Sequence, residues 1–356
     1  MPLYPLLLEP IYKEKVWGGR ALERFARRLP GAPTAKIGES WELADLDATS
    51  ASGGGGAAAH TRVRNGPLME RTVGAVVHDF GWLVTGPLDL GATGKFPLLL
   101  KYLDARDNLS VQVHPSPEYA AAHPDAALKS EAWYVVEADA DAVIYKGVVD
   151  GTTREAFEAA VHDGTVVELL VQVPARPGDC HYLPSGTVHA LGGGILVAEV
   201  QTPSDTTFRV YDWGRTDREL HLEEALECID FGSTEPSAHG AAGSDVDRVV
   251  GDAVLRELVS CEYFSIREWT IPRGGEVVFD SDEMCVLMTI DGEGALTWGE
   301  TMTALRVRAG DTVLLPAALG RTVLSASDDA TVLEVRSFGA PPGGALGRSL
   351  PVLGIS

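Results

Sequence analysis

Short apolar runs alternate with polar and turn-forming residues along most of this chain. The string Leu109-Ser-Val-Gln-Val-His114 alternates with period two, which predicts a strand with Ser110, Gln112 and His114 on one face. Other short runs of mainly apolar residues predict strands at residues 132–136, 180–183, 195–200 and 331–335. The pattern is therefore typical of a mainly β protein.

Helical periodicity is confined to the first half of the chain. Ser116 is placed to cap a helix over residues 117–123, with Pro117 at its first position, and Thr153 to cap another that continues to residue 162. Apolar spacing predicts two more helices, at residues 67–77 and 222–228. We expect these helices to form an insertion in the N-terminal half.

One motif recurs at a constant offset in the two halves of the chain, as Arg176-Pro-Gly178-Asp179…Pro184 and as Arg308-Ala-Gly310-Asp311…Pro316. Each copy is followed by a strand-like segment, which predicts two jelly-roll barrels built from one supersecondary unit. The second copy has Ala318 and Arg321 where the first has Gly186 and His189. We therefore expect a C-terminal barrel without metal ligands.

Two stretches of low complexity divide the chain. Residues 48–60 contain four consecutive glycines and are expected to form a flexible surface loop. Residues 232–247 have the composition of a linker. The expected domains are therefore residues 1–231 and residues 248–356, joined by that linker.

Composition narrows the classes of partner. The 356 residues are 45% hydrophobic and carry a net charge of −22, which argues against nucleic acid and anionic membrane surfaces as partners. No apolar run reaches the ~20 residues of a membrane span, and the N-terminus lacks the features of a signal peptide. Four cysteines without CxxC spacing predict reduced thiols in a cytoplasmic protein. Separately, we expect a monomer or a weak homo-oligomer.

The densest candidate chemistry lies in Gly178-Asp-Cys-His-Tyr-Leu-Pro184-Ser-Gly186-Thr-Val-His189. Its spacing, Gly-x5-Pro-x-Gly-x2-His, resembles the second metal-binding signature of cupins, in which a Pro-Gly corner aims a histidine into the barrel mouth. Gln112, His114 and Glu131 supply the partners of His189 in a mixed nitrogen and oxygen site. Such a site suits one catalytic Zn²⁺ per chain, and divalent iron, manganese or cobalt also fit it.

A series of further blocks, in order, resembles type I mannose-6-phosphate isomerase. They include Trp17-Gly-Gly19, Gly38-Glu-Ser-Trp41-Glu42, Phe96-Pro-Leu-Leu-Leu-Lys101, Lys129-Ser-Glu-Ala-Trp-Tyr134 and Ser204-Asp-Thr-Thr-Phe-Arg-Val-Tyr-Asp-Trp213. The resemblance implies interconversion of mannose 6-phosphate and fructose 6-phosphate, with zinc held by Gln112, His114, Glu131 and His189. It also implies an essential arginine at Arg209 and a pocket lined by Trp17, Lys101, Ser110 and Lys129.

This isomerisation moves a proton between C2 and C1 of the open sugar through a cis-enediol. Arg209 is suited to stabilise the charge that develops on two adjacent oxygens, and Lys129 and Glu199 are the candidates for the base. Each residue also has a simpler interpretation: Arg209 in a salt bridge at the barrel mouth, Lys129 as a partner of phosphate or carboxylate, and Glu199 as a structural partner of Arg209.

Other functions remain open at this point. A metal-dependent cupin acting on another sugar and an Fe(II) cupin dioxygenase share the barrel and similar ligand types. A non-catalytic protein that binds a sugar phosphate is a third alternative, although the complete ligand set argues against it. Gln112, Lys129 and Arg209 favour the sugar-phosphate isomerase.

Overall fold

The computed structural model describes residues 2–49, 57–91, 93–123, 125–232, 241–242, 247–280, 282–299 and 303–339. The strands of the first part are β1 Leu6–Leu7, β2 Ile11–Gly19, β3 Ile37–Leu43, β4 Asp45–Leu46, β5 Ala59–His60, β6 Leu99–Ala105, β7 Val111–Val113, β8 Glu131–Ala138, β9 Val143–Val148, β10 Leu170–Pro174, β11 Cys180–Leu183, β12 His189–Leu191, β13 Ile195–Gln201 and β14 Phe208–Tyr211. Those of the second part are β15 Ala241–Ala242, β16 Arg248–Val250, β17 Ala253–Ser260, β18 Phe264–Ile271, β19 Glu276–Phe279, β20 Cys285–Asp291, β21 Glu293–Trp298, β22 Thr303–Arg308, β23 Thr312–Leu315, β24 Thr322–Ala326 and β25 Ala330–Ser337.

Four large sheets form the body of the molecule. The first part of the chain builds a five-stranded sheet, in the order β10-β9-β12-β7-β14, and a six-stranded sheet, in the order β11-β8-β13-β6-β2-β3. The second part builds a four-stranded sheet, β19-β24-β21-β22, and an eight-stranded sheet running from β23 to β15 that also receives β1 from the N-terminus. A mainly β fold is therefore confirmed.

Shared cores show how these sheets face each other. Trp133 and Val197 of the six-stranded sheet pack in one buried cluster with Ile144 of the five-stranded sheet. The opposite face of the six-stranded sheet, through side chains such as Tyr134 and Ala198, shares a core with the eight-stranded sheet. A third core joins the eight-stranded and four-stranded sheets. The layer order is thus five, six, eight and four strands.

The expected closed barrels are not found among the described residues, where each of the four large sheets is an open array. No ladder joins the edges of the five-stranded sheet, β10 and β14, to those of the six-stranded sheet, β11 and β3. Side-chain packing across the shared core holds each pair of sheets together instead. Most of the expected linker, and the four glycines of the expected loop at 48–60, lie outside the described residues.

The α-helices of the described chain all precede residue 229: α1 Val73–Phe80, α2 Trp82–Thr85, α3 Pro117–Ala122, α4 Arg154–Asp163 and α5 Leu222–Cys228. Ser116 and Thr153 cap α3 and α4 as predicted, each hydroxyl accepting a backbone N–H three residues on. The prediction of one helix over 67–77 was wrong. A 3₁₀ turn at Gly66–Leu68 and positive φ at Glu70 precede a new start capped by Thr72.

Helices α3, α4 and α5 cover the outer face of the five-stranded sheet. Phe157 of α4 and Ala225 of α5 pack there against Val111 and Val113, the buried members of the alternating strand β7. The alternation therefore sends Gln112 to the inner face, between the five-stranded and six-stranded sheets. No described helix is long and apolar enough to cross a membrane.

Candidate metal centre and its pocket

Three predicted site residues stand in one row across the five-stranded sheet. His189 on β12 pairs with Gln112 on β7, and Gln112 pairs in turn with Arg209 on β14. Residues directly opposite each other on neighbouring strands project from the same face of a sheet. The row therefore presents an imidazole, an amide and a guanidinium group to the space between the two sheets.

A second row faces it from the six-stranded sheet. Glu199 on β13 lies between Trp133 on β8 and Lys101 on β6, and Lys101 pairs with Trp41 on β3. Glu131, the first residue of β8, is fully buried. These residues come from seven strands of two sheets, with only Trp133 and Glu131 sharing a strand, so the folded sheets bring them together.

His114, Glu131 and His189 form a buried cluster in which one ligand atom from each lies within 4.8 Å of the others. The Nε2 atom of His189 is 3.1 Å from Oε1 of Glu131, and Nε2 of His114 is 3.5 Å from Oε2. Each imidazole places Nδ1 against a main-chain carbonyl: His114 against Thr206 at 2.9 Å and His189 against Thr187 at 2.8 Å. Donation from Nδ1 leaves the Nε2 lone pairs directed into the cluster.

Gln112 completes the expected ligand set. Its Nε2 atom lies 3.3 Å from Nε2 of His189, and its Oε1 atom accepts a 3.4 Å hydrogen bond from Ser110. Because the two ends of an amide exchange by rotation about the last side-chain bond, the same position can direct the oxygen toward the cluster. A carbonyl oxygen, a carboxylate and two imidazoles are a donor set that Zn²⁺ accepts.

The donor atoms themselves fit a cation. Nε2 of His114 and Oε1 of Glu131 are buried and make no hydrogen bond within the described part of the chain, whereas Oε2 of Glu131 has the ammonium of Lys129 as its partner. Buried polar atoms are normally satisfied by hydrogen bonds, and exceptions indicate a water or an ion. Burial, with Lys129 nearby, lowers the pKa of His114 to about 3, so that this imidazole is neutral and able to coordinate at pH 7.

Lys129 and Glu199 lie beside the cluster. Nζ of Lys129 is 2.7 Å from Oε2 of Glu131 and 3.5 Å from Oε1 of Glu199. Burial opposes the charge on Lys129, but these two carboxylates together raise its pKa above the usual value. Burial raises the pKa of Glu199 to about 8, with Glu131 adding to the rise and the lysines Lys101 and Lys129 opposing it. A cation bound to Glu131 would partly neutralise its carboxylate. Glu131 would then raise the pKa values of Lys129 and Glu199 less.

One pocket contains every predicted catalytic and substrate-binding residue, namely Trp17, Lys101, Ser110, Lys129, Glu199 and Arg209. The ligand cluster reaches this pocket through Gln112 and Glu131, which also line it. Sequence reasoning gave no role to the other polar and aromatic lining residues, which are Lys15, Glu39, Trp41, Trp133, Asp205, Thr207 and Arg218. Trp41 and Asp205 do stand within the recognised blocks, but Lys15 and Arg218 carry no sequence signal of their own.

Arg209 is fixed by the segment that follows its strand. Its Nη1 donates to the carbonyl of Glu219 at 2.7 Å, and its main chain exchanges hydrogen bonds with His221. Burial lowers the pKa of Arg209, and Arg218 nearby adds to that effect. The guanidinium group is thus held at the pocket wall rather than free in solvent.

Comparison with known proteins agrees with this geometry. Family models match for the type I phosphomannose isomerase catalytic domain over residues 6–140 and for the mannose-6-phosphate isomerase cupin domain over residues 255–331. Mannose-6-phosphate isomerase ManA of Bacillus subtilis is 36% identical, with 90% of this chain and 95% of the relative covered. The mannose-6-phosphate isomerase of Streptococcus mutans is 34% identical, over 88% of this chain and 92% of the relative.

Solved structures give the same result. The crystal structure of mannose 6-phosphate isomerase from Bacillus subtilis superposes with a TM-score of 0.80 at 29% identity, covering 93% of this chain and 99% of that one. A putative mannosephosphate isomerase from Archaeoglobus fulgidus shares the fold, with a TM-score of 0.69 at 18% identity over 94% and 98% of the two chains. The chain belongs to the type I phosphomannose isomerase family.

Proposed function

We propose that this protein is a zinc-dependent mannose-6-phosphate isomerase, which interconverts mannose 6-phosphate and fructose 6-phosphate through a cis-enediol. The observation that carries the proposal is the buried His114–Glu131–His189 cluster beside a pocket lined by Lys129, Glu199 and Arg209. The names of the relatives, which align over nearly the whole chain, support the same substrate pair.

Gln112, His114, Glu131 and His189 would hold one Zn²⁺. Bound there, zinc would act as a Lewis acid that polarises substrate oxygens. The protein's part is to fix both imidazoles through Nδ1, to keep His114 neutral, and to keep Glu131 ionised. Lys129, at 2.7 Å, favours the ionised carboxylate.

Proton transfer falls to Lys129 and Glu199, which lie 3.5 Å apart at the pocket wall. A base takes the proton from C2 of the open aldose and returns it to C1 of the enediol. Arg209 remains cationic at neutral pH and offers forked donors to the two oxygens on which negative charge develops. Trp17, Lys101 and Ser110 would position the sugar against these groups.

The proposed function also includes a division of the chain into domains and a cellular location. We propose a catalytic domain over residues 1–231 and a C-terminal cupin-like domain over 248–356 without metal ligands, linked by residues 232–247. Among the described residues, the cluster of three potential ligand side chains occurs only in the first domain. The four cysteines are free thiols, which supports the cytoplasm as the location.

The first experiment is a coupled assay for fructose 6-phosphate, with mannose 6-phosphate as substrate and one zinc ion per chain verified. We expect turnover that a chelator abolishes and added zinc restores. Absence of turnover in protein with stoichiometric zinc would refute the substrate assignment. Turnover that persists after complete metal removal would refute the role of the metal.

A further inference from the structure

The turn that follows β14 carries an arginine pair. Arg215 and Arg218 both converge on Asp212, whose side chain is 1% exposed. Arg215 binds it through Nε at 3.0 Å and Nη2 at 2.6 Å, and Arg218 binds it through Nε at 2.8 Å and through Nη2. One buried carboxylate therefore orients two guanidinium groups.

The backbone conformation of this turn allows both arginines to reach Asp212. Trp213 and Gly214 both have positive φ, at 55° and 80°, and N–H of Arg215 closes the turn on the carbonyl of Asp212. Trp213 is held in this unfavourable conformation by a hydrogen bond from its indole to the carbonyl of Leu109. Non-glycine residues adopt positive φ at a free-energy cost, so the surrounding contacts must impose it.

Of the two arginines, Arg218 lines the pocket. The lysines of the pocket each have a carboxylate of the pocket within 4.0 Å: Lys15 beside Glu39, Lys101 beside Glu199, and Lys129 beside Glu131 and Glu199. Arg218 differs, because its carboxylate partner, Asp212, is not among the lining residues and is shared with Arg215. The carboxylate that Arg218 binds therefore lies outside the pocket lining.

Arg218 also retains donor capacity. Asp212 occupies its Nε and Nη2 atoms, and no hydrogen bond in the described part of the chain engages its Nη1 atom. Its side chain is 22% exposed, so a ligand in the pocket can reach it. A guanidinium group held rigidly by a carboxylate, with donors left over, suits a phosphate dianion.

We propose that Arg218, positioned by Asp212, binds the phosphate group of the substrate and selects phosphorylated over unphosphorylated sugars. This inference rests on the proposed function, because it takes a sugar phosphate as the ligand. In this arrangement the phosphate binds beside Arg218, and the reacting carbons lie beside Lys129, Glu199 and the proposed metal site.

The test is binding of sorbitol 6-phosphate, a sugar phosphate without a carbonyl group, to the zinc-loaded enzyme by calorimetry. We expect Arg218→Gln to raise its Kd about 10- to 100-fold, as for loss of a charge-assisted contact, and Arg218→Lys to recover part of the affinity. In kinetics, Arg218→Gln should raise KM for mannose 6-phosphate by a similar factor and keep kcat within about threefold. Preference for mannose 6-phosphate over mannose should fall accordingly.

Arg306→Gln is the matched control, since it removes the same charge from an exposed position on β22. An unchanged Kd in folded, zinc-loaded Arg218→Gln would overturn the inference, as would a loss of kcat at constant KM. If Arg218→Gln does not fold, Arg218→Lys is tested instead, because it keeps the positive charge and loses the forked guanidinium donors. An unchanged Kd for sorbitol 6-phosphate, or a loss of kcat at constant KM, would then overturn the inference. Because binding is measured without turnover, an inactive wild type would refute the proposed reaction separately.

Discussion

His114 and His189 take their orientation from the main chain rather than from other side chains. Each donates from Nδ1 to a carbonyl, of Thr206 and Thr187 respectively, which fixes the tautomer that exposes Nε2. Glu131 lies between the two Nε2 atoms. Its carboxylate is therefore the central member of the cluster, and it should contribute most to holding a cation.

We expect Glu131→Gln to lose zinc and activity together. The change removes the negative charge that a divalent cation needs among otherwise neutral donors and leaves Lys129 without its nearest partner. Zinc affinity should fall at least about 100-fold, as measured by competition with a chromogenic chelator. Glu137→Gln, on the same strand but outside the pocket, is the control. Full zinc occupancy in Glu131→Gln would contradict the ligand assignment.

Lys129→Met tests the proton-transfer role against a binding role. We expect kcat to fall about 10²- to 10⁴-fold, as for loss of general acid–base catalysis, with zinc content retained and KM little changed. A raised KM at normal kcat would instead make Lys129 a substrate binder. Exchange of the C2 hydrogen with solvent deuterium, followed by NMR, would report the same step independently of product release.

Arg209→Ala tests charge stabilisation. Loss of a preorganised donor at developing charge lowers kcat about 10²- to 10³-fold, and we expect this in protein that binds zinc normally. Near-normal turnover would mean that Arg209 serves only to hold Glu219 and the following segment.

The positions of the candidate ligands were predictable because alternation on a strand and a Pro-Gly corner determine side-chain direction locally. His114 and His189 are brought together as expected, and Gln112 faces the same space. Arg218 was not predictable, because its place in the pocket depends on a positive φ at Trp213 and on a carboxylate six residues earlier. Neither feature leaves a hydrophobic periodicity or a recognisable motif spacing in the sequence.

At the scale of elements, local sequence patterns predicted where strands and helices begin and end, but not which strands pair with each other. Strand Cys180–Leu183 and helix Leu222–Cys228 have the predicted bounds, because turn residues and apolar spacing mark them in the sequence. The adjacency of β6 to β2, β3 and β13 depends on contacts distant in sequence. Gly18 shows the difference: its sequence neighbours give no reason for a glycine, but it lies against the backbone of β3.

Gly18→Ala should therefore destabilise the enzyme. A Cβ on Gly18 would lie 2.6 Å from Cα of Gly38, and since this neighbour is backbone, the strands must move apart. Overpacking of this kind costs about 1–3 kcal/mol, which urea unfolding would detect. Gly232→Ala, whose Cβ would have no contact closer than 3.8 Å, is the control. Equal stability of the two variants would contradict the close approach of β2 and β3.

Asp104 on β6 predicts a pH dependence of stability. Burial raises its pKa to about 6, although the N–H of Ala21 donates to it. Since the folded pKa exceeds the unfolded value of about 3.9, its contribution to stability is fully present below about pH 4 and is lost as pH rises through about 6. Relative to Asp104→Asn, the wild type should lose up to about 3 kcal/mol of unfolding free energy across that range. Parallel pH profiles would contradict the raised pKa.

At the scale of the whole molecule, the internal repeat predicted two related halves, but not how they join. The six-stranded and eight-stranded sheets face each other, and β1 from the N-terminus pairs with β23 of the C-terminal half. A short apolar run such as Leu6-Leu7 contains no information about a partner three hundred residues away. The His114–Glu131–His189 cluster and its pocket lie on the opposite face of the six-stranded sheet, so this junction supports the site without forming it.

A buried ion pair lies in that junction. Arg27 donates to Oε1 of Glu42 at 2.7 Å and to Oε2 at 2.8 Å, and also to the carbonyl of Gly310 in the C-terminal half. Thr312 donates to the same carboxylate at 3.3 Å. Glu42 is 1% exposed, so removing its partner would leave a buried charge without its counterion.

Arg27→Met should therefore cost about 3–5 kcal/mol of unfolding free energy, whereas Arg27→Met with Glu42→Leu should recover much of that loss, because no isolated charge remains. Urea unfolding of both single variants and the double variant gives the coupling energy directly. Glu42 alternates with Trp41, which lines the pocket from the other face, so KM of the folded variants should stay within about twofold of wild type. Additive losses in the cycle would show that Arg27 and Glu42 act independently and that the halves are joined by apolar packing alone.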